Sequence, residues 1–180
     1  PQVYELDVAT TLNNLAVLYY ITQRYSDAEQ MFVESLEIYR KLSKDNPQAY
    51  EAYVARVLNN LALLFLYKDV QRYSDAEQMF VESLEMRRKL SKDNPQVYEA
   101  DVAMALNALA NLYSDTQRYS DAEQMYEESL EIRRKLAKDN PQVYEPDIVS
   151  LYFSLVSLYD ITSAYSKSYV LTEEMLPIIK

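Results

Sequence analysis

The sequence predicts an all-α fold, an α-solenoid of four helical hairpins and about eight antiparallel helices over residues 1–180. Three observations carry the expectation. One stretch is written three times: QRYSDAEQMFVESLEIYRKLSKDNPQ from Gln23, QRYSDAEQMFVESLEMRRKLSKDNPQ from Gln71 and QRYSDAEQMYEESLEIRRKLAKDNPQ from Gln117. Asn46, Asn94 and Asn140 set its period at 48 and then 46 residues, the range of arrays whose units bury their apolar faces by stacking on neighbours. Apolar residues recur in steps of three and four, and the alternation of a half-buried strand is found nowhere in the sequence.

Each unit reads as two helices. Leu12, Leu15, Ala16 and Tyr19 mark the first, and the pattern returns at Leu106, Leu109, Ala110 and Tyr113. Ala28, Met31, Phe32, Ser35, Leu36, Tyr39 and Leu42 mark the second. Its start is expected at a capping box, with Ser26, Ser74 and Ser120 three residues before Glu29, Glu77 and Glu123. Its end carries Arg40 and Lys41, Arg87 to Lys89, and Arg133 to Lys135, where the macrodipole favours cations, and Asn-Pro follows. Glu37 with Lys41, Glu85 with Lys89 and Glu131 with Lys135 have the spacing of four-apart helix pairs, worth roughly 0.2–0.5 kcal/mol each. The units divide near residues 1–46, 47–94, 95–140 and 141–180, in a single array. Pro1 aligns with Pro47, inside a repeat connection, which reads as a fragment of a longer array.

Composition narrows the chemistry. The chain has no Gly, Cys, His or Trp, where typical usage would supply about 13 glycines. A P-loop or Gly-rich dinucleotide turn, a thiol nucleophile, a Ser-His-Asp relay and an ordinary zinc, copper or haem site are therefore excluded. Glu127 with Glu128, and Glu173 with Glu174, are adjacent carboxylates, and neighbours on a helix diverge rather than converge as an acid/base pair. No enzyme activity, metal or cofactor is expected. A formal charge of −10 opposes the counterion release on which nucleic-acid affinity rests. The longest apolar run, Leu61 to Tyr67, is far too short to span a bilayer. Neither nucleic acid nor membrane is expected as a partner, and the cytoplasm is the expected location.

These residues resemble the tetratricopeptide repeat (TPR) family. Large residues fill one column at Leu12, Leu58, Leu106 and Tyr152, and the next at Leu15, Leu61, Leu109 and Leu155. Small residues follow at Ala16, Ala62, Ala110 and Val156, then at Ala28, Ala76, Ala122 and Ser168. Tyr25, Tyr73, Tyr119 and Tyr165 stand at the hairpin position, and Phe32, Phe80 and Tyr126 where the family packs one repeat on the next. LNNLA, SDAEQ and SLEI with a basic ending are most similar to the long-repeat subclass of kinesin light chains and many bacterial repeat proteins. The resemblance implies a right-handed superhelix.

Three departures from the family pattern stand out. The hairpin glycine is replaced by Gln23, Gln71, Gln117 and Ser163, so a turn without positive φ, or a strained one, is expected, with a different geometry. Repeat two carries two extra residues, which predicts a π-bulge or longer connection near residues 65–70. The fourth unit is degenerate, with Val156, Ser168 and Met175 in tight columns and Thr172 for Phe32. Relative to a unit of 34 residues, the extra length is expected in a longer second helix and the KDNPQVYEPD connection.

The resemblance also implies a concave face built by the first helices, where an extended peptide or partner segment binds. That face would present Thr10, Asn13, Val17 and Tyr20, then Arg56, Asn59, Leu63 and Leu66, then Met104, Asn107, Asn111 and Ser114, then Ser150, Phe153, Ser157 and Asp160. In one reading Asn13, Asn59 and Asn107 grip a peptide backbone, since an amide both donates and accepts. In the other, Asn14 and Asn60 tie helices together and the whole LNNLA string is structural. Val17, Tyr20, Leu63, Met104 and Phe153 suit a partner with apolar or aromatic side chains, unless burial between helices claims them. Arg56 is the only cation there, so a carboxylate clamp for C-terminal peptides is not expected. The expected function is a non-catalytic protein-interaction scaffold; the alternative is a regulatory or sensor module of a larger signalling protein. The oligomeric state is open, homodimerisation through the last hairpin included.

Overall fold

The structure, a computed structural model, describes the backbone of residues 2–68 and 72–179, and side chains from residue 4 onward except residue 68. Among the described residues there are eight helices and no strand. They are α1 (Gln2–Ile21), α2 (Tyr25–Asp45), α3 (Pro47–Lys68), α4 (Tyr73–Asp93), α5 (Pro95–Asp115), α6 (Tyr119–Ala137), α7 (Pro141–Ile161) and α8 (Tyr165–Met175). The all-α hairpin architecture is therefore as the periodicity implies. The chain divides into two compact units, residues 1–98 and residues 99–180.

Asn-Pro does more than end a helix. The Asn46 N–H donates to Leu42 O at the end of α2, while its side-chain Oδ1 accepts from the Ala49 N–H in the first turn of α3. One residue thus closes one helix and opens the next, with Pro47 at the first helical position, where its missing N–H costs nothing. The expected KDNPQVYEPD connection does not exist as a connection: its second half is the first turns of α7. The extra length of the long repeat goes into both helices of each of the first three hairpins.

The turn within each hairpin keeps positive φ without glycine, at +60° for Gln23 and Gln117 and +59° for Ser163. The expected change of geometry is not found. Arg24 N–H donates to Tyr19 O and Gln23 N–H to Tyr20 O, the paired bonds of a Schellman motif, repeated by Arg118 and Gln117 and by Ala164 and Ser163. Two backbone bonds per turn hold residues that would otherwise avoid this region. The corresponding Gln71 lies outside the described residues, as do residues 69 and 70 of the segment predicted to hold the insertion; up to Lys68, α3 is regular α-helix without a π-bulge.

The expected capping boxes are also absent. The helices start two residues earlier, with Arg24, Arg72 and Arg118 at the N-cap and no side-chain cap bond. Each arginine Nε instead donates to the aspartate in the first turn, Asp27, Asp75 or Asp121, at 2.7–3.0 Å. Its guanidinium lies over the ring of Tyr19, Phe65 or Tyr113, 3.3–4.0 Å from the centroid. The aspartate satisfies the dipole and the ring shields the cation.

Within each hairpin the helices approach across Ala28, Ala76 and Ala122, all without exposure. A buried serine two helical turns on ties them together. Ser35, Ser83 and Ser129 Oγ–H donate to the carbonyls of Ala9, Ala55 and Ala103 at 2.7–2.8 Å. The fourth hairpin replaces this pair by Met175 and Val149, and its second helix, α8, has only 11 residues.

A candidate interaction surface on the first helices

In unit 1, α1 and α3 lie side by side, joined by an amide pair: Asn60 Nδ2 donates to Asn13 Oδ1 at 3.3 Å, and Asn13 Nδ2 donates to Asn14 Oδ1 at 3.4 Å. Asn13 is only 4% exposed and Asn59 8%, so as folded neither offers its amide to a peptide. Asn59 Oδ1 has no partner among the described residues. The LNNLA string is here a helix-to-helix tie. Beside it Val17, Tyr20 and Leu63 are half-buried and Arg56 is exposed. The Tyr20 ring meets those of Tyr67 and Tyr25 at 6.0 and 6.1 Å. Burial, then its tyrosine neighbours, pushes the Tyr20 hydroxyl above its ordinary value. Arg56 lies 5.1 Å over Tyr53, which stacks on the fully buried Tyr39.

In unit 2 the same register is more open. Met104 and Asn111 on α5 are exposed and Asn107 half-buried, three positions on one helical face. Tyr126 Oη–H donates to Asn111 Oδ1 at 2.6 Å. Burial raises the Tyr126 hydroxyl above its ordinary value, so it remains a donor and leaves Asn111 its amide N–H groups to offer outward. On α7, Phe153 is 57% exposed and Ser150, Ser157 and Asp160 are exposed with it.

Among the described residues, cations in the last turns of the second helices pair with carboxylates on other helices. Lys41, Lys89 and Lys135 reach across the hairpin to Glu5, Glu51 and Glu99 rather than to the glutamates four residues before them. Arg40 reaches the next repeat, with both Glu82 oxygens 2.7–2.8 Å away. Arg134 bonds Glu174 in the same register. A first helix passing alongside places a carboxylate at the lysine tip, whereas a four-apart partner requires both side chains to bend along one surface.

A second cation links successive repeats, and the fourth hairpin rewires it. In unit 1, Arg72 bonds Glu29 at 2.6 Å and covers Phe65. Burial alone would lower the Arg72 pKa, and the Glu29 and Asp75 bonds more than offset it. In the fourth hairpin the N-cap is Ala164, and the aspartate register holds Lys167. Its Nζ bonds Glu123 and lies 5.2 Å from the Tyr159 centroid. The cation has moved one turn yet meets the same kind of partners. A cavity of about 370 Å³ opens beside it, lined by Glu127, Tyr159, Ser166, Lys167, Val170 and Leu171. Tyr159 Oη–H donates to Glu127 at 3.1 Å, and burial followed by the Glu123 and Glu127 charges pushes its hydroxyl well above the ordinary value. Glu127 and Glu174 are thus engaged by Tyr159 and Arg134. Among the described residues no three His, Cys, Asp or Glu side chains are grouped to hold a metal, and no helix is long and apolar enough to cross a membrane.

Family models described as tetratricopeptide repeat match residues 7–89 and 102–142. The chain belongs to the tetratricopeptide repeat family. No curated protein is significantly similar to it in sequence. Among solved structures, BtubC (BKLC) from P. vanneervenii is similar over 94% of this chain and 62% of its own, with 26% identity and a TM-score of 0.78. The apo form of RapI is 20% identical, with a TM-score of 0.77, over 97% of this chain and 43% of its own. Aspartyl phosphate phosphatase F from Bacillus subtilis is 16% identical, with a TM-score of 0.76, over 97% of this chain and 40% of its own. At these identities the last two show the fold alone. The chain spans about 40–62% of the length of these three relatives. A TPR chain of this kind is a protein-interaction module, and the family is in general a non-catalytic scaffold.

Proposed function

We propose that the chain binds a peptide or partner segment along the exposed face of its first helices, with no catalytic step. Met104 and Asn111 carry the reading: an apolar thioether and an oriented amide stand exposed on one face of α5 while Ala103, Leu106 and Ala110 beside them are buried. Met adapts to partners of different shape, and Asn111 offers amide N–H groups to a peptide carbonyl. Within unit 2, Asn107 and Phe153 belong to the same reading, and in unit 1 the corresponding register holds Val17, Tyr20, Arg56 and Leu63. Asn13 and Asn59 contribute by holding helices, since both are buried. The reading of residues 1–180 as one array of four repeats, at residues 1–46, 47–94, 95–140 and 141–180, rests on the sequence period. The charge of −10 favours a protein ligand over nucleic acid or an anionic membrane, and fits a cytoplasmic setting.

The test is selection of binders from a random displayed peptide library, followed by titration of the best peptide. Met104→Glu is expected to weaken it at least tenfold, and Asn111→Ala to weaken it less, with helicity unchanged. Binders indifferent to Met104→Glu, Arg56→Ala and Phe153→Ser would place recognition elsewhere and end this reading.

A further inference from the structure

One groove of unit 2 departs from the repeat on two of its walls. Residues of α6, α7 and α8 line it, around the cavity of about 370 Å³ beside Lys167. Glu127 stands where α2 and α4 carry Val33 and Val81, so the α6 wall has exchanged an apolar group for a carboxylate. The α8 wall has made the opposite change. Val170 replaces a glutamine that is exposed in all the earlier second helices, as Gln30, Gln78 and Gln124, and Lys167 replaces an aspartate. The groove is not open for want of a following hairpin. On α4, Ser74, Asp75 and Gln78 hold the registers of Ser166, Lys167 and Val170 and are exposed, although another hairpin follows.

We propose that this cavity binds a primary ammonium group carried on a short apolar body. Lys167 bonds Glu123, so Glu127 is left with a neutral donor, the Tyr159 hydroxyl at 3.1 Å, and no cation among the described residues forms an ion pair with it. Two carboxylates against one ammonium leave the site with one net negative charge. Both carboxylates act on the Tyr159 hydroxyl, which keeps its proton and gives it to Glu127. What remains for a ligand is a set of acceptors: the second Glu127 oxygen, a lone pair on Tyr159 Oη and the exposed Ser166 hydroxyl. An ammonium brings three donors to them and supplies the positive charge that Glu127 lacks. Val170, 53% exposed, and half-buried Leu171 offer the body an apolar wall, whose covering removes apolar surface from water. The volume is in the range of small-ligand sites. A free amine and the side chain of a partner's lysine share this head group.

Titration of the isotope-labelled chain with pentylamine, followed by NMR at neutral pH and fixed ionic strength, reads the outcome. Amides of residues 123–127, 159 and 166–171 are expected to shift and to saturate in the low millimolar range. Pentanol and pentanoate keep the body and change the head, and neither should saturate. Glu127→Val and Val170→Gln introduce residues that earlier repeats carry at these registers, so folding should stay intact by circular dichroism. The first should weaken pentylamine at least tenfold, and the second should weaken it less. Nα-acetyl-lysine methylamide separates the two sources: tighter binding than pentylamine assigns the cavity to a partner's lysine, and weaker binding to a free amine. Absence of saturation at tens of millimolar overturns the inference. So does pentanoate binding as well as pentylamine, or binding indifferent to Glu127→Val. Met104→Glu, on the recognition face of α5, should leave the amine titration unchanged; its loss in that variant would overturn the placement in this groove.

Discussion

Replacing the three left-handed turn residues by glycine, Gln23→Gly, Gln117→Gly and Ser163→Gly, should stabilise the protein. Each residue sits at φ near +60°, where an L-residue with a Cβ pays roughly 1–2 kcal/mol that glycine does not. Glycine loosens the unfolded chain, and that returns about 0.4–1 kcal/mol, so the net gain is about 0.5–1 kcal/mol per turn. The sites are in different hairpins with separate Schellman bonds, so the gains should nearly add, to about 1.5–3 kcal/mol in the triple variant. For a chain of this size that raises Tm by about 3–10 °C. Urea denaturation followed by circular dichroism measures it, with fluorescence as a second probe because repeat arrays need not unfold in one step. Gln117→Val is the opposing control and should destabilise, since a β-branched residue fits this region worst. Triple-variant stability equal to or below the parent would refute the argument and show that the turn is not strained.

Further outcomes follow from single positions. Pro146 lies inside α7, where it has no N–H to give to the preceding turn; Pro146→Ala should raise stability by about 1–3 kcal/mol, read as a shift in the urea midpoint. Ser35→Ala deletes the buried bond to Ala9 O and should cost about 1 kcal/mol, and the triple change with Ser83 and Ser129 about three times that; midpoints unmoved by the triple would show these ties are not stabilising. Burial would raise the Glu123 carboxyl, yet its bonds to Lys167 and Tyr159 hold it below 4.5. A depressed folded value means the contribution is complete above the unfolded value near 4.5 and is lost as pH falls through the folded one. Glu123→Gln should therefore be less stable than the parent at pH 6 and lose the difference on acidification; parallel stability profiles would refute the assignment.

The sequence by itself determined the helical hairpins, their number and their family, because these rest on local rules: three- and four-residue apolar steps, alanines at close approaches, and Asn-Pro between hairpins. Which residues share one face of a first helix was legible too, since a helical register follows from spacing; that such a face receives a partner came only from the family resemblance. Only the tertiary structure decided which partner each polar group takes. Lys41 had Glu37 four residues away and Glu5 across the hairpin, and the helix alongside won. Asn13 and Asn59 read equally well as peptide ligands or helix ties until their burial was known. Ser26 had the spacing of a cap, yet the Schellman turn and the ring beneath Arg24 placed the helix start two residues earlier. Periodicity specifies which side of a helix is covered, while the choice among several acceptors within reach is set by distances between helices remote in sequence, which spacing along the chain does not encode.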